Sequence, residues 1–403
     1  MKRSIIILTI TIMILTALNA NAEFMQNHTS KTESMKTNSL NKSDKVGFVN
    51  PFTIDIDPME RLLLINFEKD ADSVYIGFEP QVFDDPVNGK GHLVIGWRKD
   101  GKIDIYHQSS LNMRPEKYDI AGKGVNEMVL TDMAIAFFEV TNLGIQAEYV
   151  FRDLSDREVN IRIIEKNTKT RKPFGLLAPL GHAAENPSSM PVILLQDFYF
   201  VRKQHTKIHI KIDNKEHQAD FLPIPMDGQK MYFTRYSPKP QIATLNSAFN
   251  GVLKSTEITK GNSEITDGDY RFEISWNGES PQIKSITKVN DIHPIKLNFN
   301  PAFPDLSRIG DDEALKGHFV IEGHPSTGSV GGYYEVNRID DQLFIKMVPS
   351  KGWKPVAPKL SLRFMYTVVK TFKRWPTTYS WQADLNVDNT GNWIMQSEWE
   401  RLN

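Results

Sequence analysis

Apolar and polar side chains alternate along many short stretches of the chain, and this alternation is what most restricts its fold. Residues 52–57 read FTIDID, and residues 270–276 read YRFEISW. Successive side chains of a β-strand point to opposite faces, so this pattern indicates half-buried antiparallel strands. The same spacing recurs at residues 74–79, 145–151, 159–163, 208–212, 295–299 and 360–368. We therefore predict an all-β fold without long helices.

One hairpin can be placed in register from its turn residues. The strands on either side of residues 98–101 (RKDG) keep a single apolar face only if Trp97 lies opposite Ile103. That register requires a three-residue loop with Gly101 in the left-handed conformation, because a slip of one residue would turn the apolar set outward.

A second hairpin determines the role of a tryptophan-rich segment near the C-terminus. A five-residue loop at residues 388–392 pairs Trp381 with Trp399 within an apolar stripe. Trp381 is therefore predicted to belong to the core. Trp375 is separated from that stripe by Pro376, which leaves it either at the core edge or as a contact residue.

The first 22 residues have the pattern of a secretory signal peptide. Two basic residues precede an apolar run over residues 5–18, and residues 20–22 (ANA) form a small-x-small cleavage site. We therefore expect a periplasmic or secreted protein whose mature chain begins at Glu23. The apolar run is too short to span a bilayer.

Composition removes several function classes. The chain has no cysteine, so disulfides are excluded and stability must come from burial. Its formal net charge is −1, which offers no electrostatic case for nucleic acid or an anionic membrane surface. After the signal segment, no apolar stretch is long enough for a transmembrane helix.

Composition along the chain predicts two domains. Residues 23–48 are rich in polar residues and are expected to be a flexible lead-in. The polar, glycine-bearing stretch at residues 250–269 has the weakest strand pattern, so we place the boundary there. This gives an N-terminal β domain at residues 49–255 and a C-terminal β domain at residues 262–403, built as lipocalin-like barrels or β-sandwiches.

Candidate ligand-binding residues lie in one long loop and at one strand end. The segment 175–191 is apolar and contains His182 and Glu185, which together suit acid–base chemistry. Arg235 and Tyr236 end a nearby strand and are residues that an anionic ligand requires. A packed connection is the alternative reading of the loop.

Trp353 is a further candidate because it lies in a proline-framed loop at residues 349–358, either as a ligand contact or tucked over a barrel end. No metal site or cofactor is expected. His318 and Glu322 share a strand face, but residues four apart on a strand lie about 13 Å from each other, too far to share one ion.

Two stretches, GHLVIGWRKDGKIDIY and GHFVIEGHPSTGSVGGYYEV, carry a resemblance at the level of architecture. With its two strand-rich halves, the chain resembles two-domain, lipocalin-like proteins related to carotenoid hydratases. The resemblance implies an apolar cavity suited to a lipid, isoprenoid or pigment, and it implies no particular catalytic residue. A β-sandwich of the carbohydrate-handling kind is the competing architecture.

Three functions remain open from the sequence. The first is an exported protein that binds an apolar small molecule in a β-barrel-type cavity. The second is an enzyme at a barrel mouth, either a hydratase or isomerase or one that acts on glycans. The third is an envelope structural or adhesion module with filled cores and a broad exposed patch.

Overall fold

The computed structural model describes residues 44–119, 121–178, 187–223, 225–368 and 374–402. Strands dominate these residues, which confirms the predicted all-β class. One α-helix is present among them, α1 (Leu360–Val368), together with short 3-10 helices at Glu68–Asp70, Pro115–Lys117, Leu306–Arg308, Pro325–Thr327 and Trp375–Thr378.

Sixteen strands precede residue 246. They are β1 (Lys45–Val49), β2 (Ile54–Asp57), β3 (Arg61–Asn66), β4 (Tyr75–Asp85), β5 (Gly89–Arg98), β6 (Ile103–His107), β7 (Val125–Leu130), β8 (Ile135–Thr141), β9 (Gly144–Arg152), β10 (Glu158–Glu165), β11 (Phe174–Ala178), β12 (Met190–Arg202), β13 (Thr206–Ile212), β14 (Lys215–His217), β15 (Met231–Ser237) and β16 (Gln241–Leu245).

Eleven strands follow. They are β17 (Phe249–Val252), β18 (Ser255–Thr259), β19 (Glu264–Asp267), β20 (Tyr270–Asn277), β21 (Ser280–Lys288), β22 (Ile295–Phe303), β23 (Ala314–Glu322), β24 (Ser329–Ile339), β25 (Gln342–Lys354), β26 (Tyr379–Val387) and β27 (Trp393–Arg401).

The N-terminal half forms two sheets. The larger one, called the central sheet here, has the order β2-β16-β12-β15-β3-β4-β5-β6-β7, with β11 also paired to β12. The smaller one has five strands in the order β14-β13-β10-β9-β8. All pairs are antiparallel except β6 with β7.

The C-terminal half forms a single ten-stranded sheet in the order β17-β27-β26-β25-β24-β23-β22-β21-β20-β19. From β19 to β27 each strand pairs with the next one in the chain, which is the simplest antiparallel connection. The remaining pair, β1 with β18, joins the start of the described chain to the middle.

The central sheet is apolar on both faces. In β3, Leu62 belongs to one buried hydrophobic cluster and the next residue, Leu63, belongs to another. The cluster that contains Leu63 fills the space between the central sheet and the five-stranded sheet. The cluster that contains Leu62 also includes side chains of the C-terminal sheet, such as Phe299 and Trp381.

The chain from Lys45 to Asn403 forms one compact unit by its contacts, and both halves contribute to the larger cluster. The division into two domains near residues 255–262 stays a prediction. The strand next to that stretch, β17, pairs with β27 and so belongs to the C-terminal sheet.

Both hairpin registers are confirmed. Trp97 lies opposite Ile103, and Gly101 has a φ of 87°, a conformation that glycine adopts without strain. Trp381 lies opposite Trp399 in the second hairpin. The apolar face therefore decides the register in each case.

The structure places Trp375 in the core, because it is buried within the 3-10 helix Trp375–Thr378. The strand predicted at residues 360–368 is wrong, since this segment is α1. Leu362 and Tyr366 are buried there while Leu360 and Phe364 are exposed. Buried residues four apart fit a helix, whereas a strand would bury every second residue.

Replacing Trp381 with alanine should lower the free energy of unfolding by about 3–5 kcal/mol. The side chain is fully buried, and its ring centroid lies 5.6 Å from that of Phe52. Urea denaturation measures the change. Val387→Ala is the matched control on the same strand, where the side chain is 49% exposed, and it should change stability by less than about 0.5 kcal/mol. Equal losses in the two variants would contradict the core assignment.

Candidate functional site

A cavity of about 1260 Å³ lies against one face of the central sheet. Its walls come from strands β2, β3, β4, β5, β11, β12, β15 and β16, with further residues from the C-terminal half. Alternation explains part of the lining, because successive side chains that face the cavity are two residues apart at Leu62 and Leu64 in β3 and at Ile193 and Leu195 in β12. The apolar walls include Leu62, Leu64, Ile95, Phe198, Phe200 and Ile242.

Glu79 and Arg235 place two opposite charges on this apolar wall. Arg235 in β15 lies directly opposite Leu64 in β3. On the other side of β3, Gln81 in β4 lies opposite Leu62, and Glu79 is two residues earlier on the same face. The two charged residues therefore flank β3 and define what we call the polar pole of the cavity.

The Glu79 carboxylate is held by two donors. The indole Nε1 of Trp97 donates to Oε2 at 3.0 Å, and the amide Nε2 of Gln81 donates to Oε1 at 2.9 Å. Both donors also line the cavity. These bonds fix the orientation of the carboxylate while leaving it in contact with the cavity.

The Arg235 guanidinium is held on one edge only. Its Nη1 donates to Oδ1 of Asn66 at 2.5 Å and to the carbonyl oxygen of Phe233 at 2.8 Å. The group also lies over the Phe233 ring, 4.2 Å from the ring centroid. Nη2 and Nε form no hydrogen bond with another described residue, so within the described part of the chain these two nitrogens are left to the cavity.

Burial shifts both groups towards their neutral forms. It raises the pKa of the Glu79 carboxyl above its ordinary value, and the hydrogen bonds from Gln81 and Trp97 and the charge of Arg235 act in the opposite direction. Burial lowers the pKa of the Arg235 guanidinium to about 10, with Glu79 opposing the shift. Each charge thus acts on the other, although no ion pair joins them. The pole offers an acceptor and a donor to the cavity.

The cavity is open to solvent at its rim. Val87 and Val289 line it and are each about half exposed. At the same rim, Lys117 Nζ lies 2.5 Å from Oδ1 of Asp57 and 2.8 Å from Oδ1 of Asn88. The charge of this rim lysine is therefore already paired within the chain.

The structure separates Arg235 from its neighbour Tyr236. Arg235 lines the cavity, while Tyr236, the next residue in the strand, points to the opposite face. Tyr236 is fully buried there, stacks on Tyr199 with ring centroids 5.2 Å apart and accepts a hydrogen bond from Arg171.

Trp353 lies in strand β25 and not in a loop. It is buried, and its indole Nε1 donates to the carbonyl oxygen of Thr327 at 2.8 Å. It is not part of the cavity wall. Ligand binding by Trp353 or Tyr236 stays a prediction.

His182 and Glu185 lie outside the described residues, so the prediction made for them stays a prediction. The nearest described residues on either side that line the cavity are Ala178 and Ser188. Sequence reasoning missed Glu79. The available signal was a carboxylate inside the otherwise apolar strand YIGFEPQVF (75–83).

Metal chemistry has no recognisable centre in the described ranges. No group of three histidine, aspartate or glutamate side chains there is close enough to hold an ion.

The helices of the described part of the chain are all too short or too polar to cross a bilayer.

Replacing Glu79 with glutamine should remove a pH-dependent loss of stability. The folded-state pKa is raised, so between the ordinary value of 4.5 and that raised value the folded protein binds more protons than the unfolded chain. Stability therefore falls as the pH rises through this window, by about 1.4 kcal/mol for each pH unit that separates the two pKa values. Urea denaturation from about pH 4 to about pH 8 compares the two proteins. A difference that does not change with pH would contradict the assignment.

Comparison with known proteins does not place this chain in a family. No family model matches the chain, and neither the curated proteins nor the solved structures contain a significant match.

Proposed function

We propose that the protein binds an apolar small molecule that has one neutral polar end, such as a hydroxyl group. The observation that carries the proposal is the cavity of about 1260 Å³, whose mainly apolar wall carries the polar pole of Glu79 and Arg235. Ligand sites are typically concave, apolar and supplied with a few oriented polar groups, and they measure about 300–1,000 Å³. A lipid, isoprenoid or pigment therefore suits the cavity in size and polarity, and the mainly apolar lining favours this class over a glycan.

The polar end follows from the charges at the pole. Glu79 and Arg235 already balance each other, so a ligand that brought a further charge would be buried without a partner. A hydroxyl group can donate to the Glu79 carboxylate and accept from Arg235 Nη2 or Nε in the same position. It would satisfy both groups without adding charge.

A hydratase or isomerase acting on the same ligand is the second candidate, and Glu79 favours it. A carboxyl whose pKa is raised by burial holds its proton closer to neutral pH and can serve as a general acid. The third alternative, an adhesion module, has less support because Trp375, which the sequence left open as an exposed contact residue, is buried.

The location proposed for this activity is outside the cytoplasm, in the periplasm or the medium. It rests on the signal-like pattern of the first 22 residues alone. The cavity also suits the lipocalin-like architecture that the sequence resembles, since such folds enclose ligands between curved antiparallel strands.

Native mass spectrometry of protein purified from its own host is the first test. We expect a population heavier than the polypeptide by the mass of one small molecule, which organic extraction should release. If the protein carries no bound molecule and also fails to bind the isoprenoid alcohol retinol, the proposed function is wrong.

The polar end is tested separately with Arg235→Met, which removes the charge and keeps much of the apolar stem. Retinol fluorescence should report binding about tenfold weaker than in wild type, because a hydrogen bond to a charged group contributes about 1.5–3 kcal/mol and a factor of ten is about 1.4 kcal/mol. Retinoic acid, the corresponding carboxylate, should bind wild type more weakly than retinol.

Lys117→Met is the matched control, since this rim cation also lines the cavity but is paired with Asp57. It should change retinol affinity by less than about twofold, whereas Arg235→Met should change it about tenfold, which corresponds to about 1.4 kcal/mol. Circular dichroism establishes that each variant is folded. Equal affinity in Arg235→Met and wild type would contradict the polar-end assignment while leaving the apolar cavity as a binding site.

A further inference from the structure

The charge of this chain is unevenly distributed. Between Asp341 and Asp384 the sequence contains eight lysines and arginines and no aspartate or glutamate. Because the whole chain has a net charge of −1, all residues outside this segment together carry −9. A basic segment of this kind adds positive charge to the elements that it forms, in an otherwise acidic chain.

Helix α1 lies in the middle of this basic segment and is attached to the protein by one face. Leu362 and Tyr366 are buried. The Tyr366 hydroxyl donates to the carbonyl oxygen of Gly175 in β11 at 2.9 Å, and its ring packs edge-on against Trp353 with centroids 5.0 Å apart. The helix is therefore held against the strand whose residues Leu176 and Ala178 line the cavity.

The opposite face of α1 is exposed and combines apolar and basic side chains. Leu360 and Phe364, four residues apart, are 81% and 56% exposed. Arg363 lies between them on the same face and is also exposed. Residues at this spacing form one stripe along a helix, so the two large apolar side chains project together beside a cation.

Several cations close to α1 in the sequence are available for an external partner. Lys351, Lys354, Arg363 and Arg374 are exposed, and none of them forms an ion pair with another described residue. Lys359 is the exception, since it pairs with Asp227. Exposed lysines and arginines next to projecting leucine and phenylalanine match the two layers of an anionic bilayer, charged head groups above an apolar interior.

We propose that the exposed face of α1 docks on an anionic phospholipid surface, with Leu360 and Phe364 inserted among the acyl chains and the surrounding lysines and arginines against the head groups. This surface is distinct from the ligand cavity and does not depend on the proposed ligand. Its attachment to β11 places lipid contact beside a wall of the cavity.

The test is co-sedimentation with vesicles, using the chain from Glu23 onward because the apolar run at residues 5–18 would itself bind lipid. Wild type should bind vesicles of mixed phosphatidylglycerol and phosphatidylcholine at least tenfold more strongly than vesicles of phosphatidylcholine alone. Binding should weaken with added salt, since the Debye length falls from about 10 Å at 0.1 M to about 3 Å at 1 M.

Two variants separate the apolar and the basic contributions. Leu360→Ser with Phe364→Ser should lower binding to the anionic vesicles at least tenfold, and Lys354→Glu with Arg363→Glu should abolish the preference for them. These side chains are exposed, so the variants should keep the wild-type circular dichroism spectrum. Leu130→Ser with Ile339→Ser, two exposed apolar residues on strands, is the matched control and should bind as wild type does.

Three results would overturn the proposal. They are equal binding to neutral and anionic vesicles, unchanged binding in Leu360→Ser with Phe364→Ser, and a wild-type dimer that this variant converts to monomer. The last result would assign the exposed face to a second copy of the chain.

Discussion

The structure depends on a sheet that is buried on both faces. The central sheet packs against the five-stranded sheet on one side and faces the cavity and the larger hydrophobic cluster on the other. Adjacent residues of one strand therefore pack on opposite faces of the sheet. In β5, Val94 belongs to the smaller hydrophobic cluster and Ile95 to the larger one. This arrangement lets a single strand stabilise the fold and line the cavity.

The same constraint explains which features could be predicted from the sequence. In the two hairpins around Gly101 and residues 388–392, one apolar stripe selects one register, and the structure has that register. In the central sheet the signal is different, because strands buried on both faces read as continuous apolar runs such as RLLLINF (61–67). Such runs predict burial but do not say which face encloses a cavity.

The pole was hidden because its parts are far apart in the chain. Glu79 and Arg235 come together only through the pairing of β4, β3 and β15, which a single sequence does not reveal. Their immediate neighbours were misleading, since Arg235 and Tyr236 look like one site in sequence and point to opposite faces in the sheet. The basic segment was hidden for a different reason, because the net charge of the whole chain averages it away.

A second buried charge pair, Glu165 and Arg202, shows how this protein satisfies opposite charges that it buries. Glu165 and Arg202 are buried and in direct contact at 2.7 Å, and Arg202 also donates to the carbonyl oxygens of Leu143, Asn167 and Lys169. In that pair the donors are satisfied within the chain, as a buried charge requires.

Glu79 and Arg235 depart from this rule in the same protein. They are close enough to influence each other but form no ion pair, and Arg235 keeps two donors without a partner among the described residues. Direct contact would be the more stable arrangement for two opposite charges on an apolar wall. Holding them apart, each fixed by neutral neighbours, costs stability and leaves a gap between them at the cavity wall. A stability requirement does not explain that gap, whereas the proposed binding of a polar group would explain it.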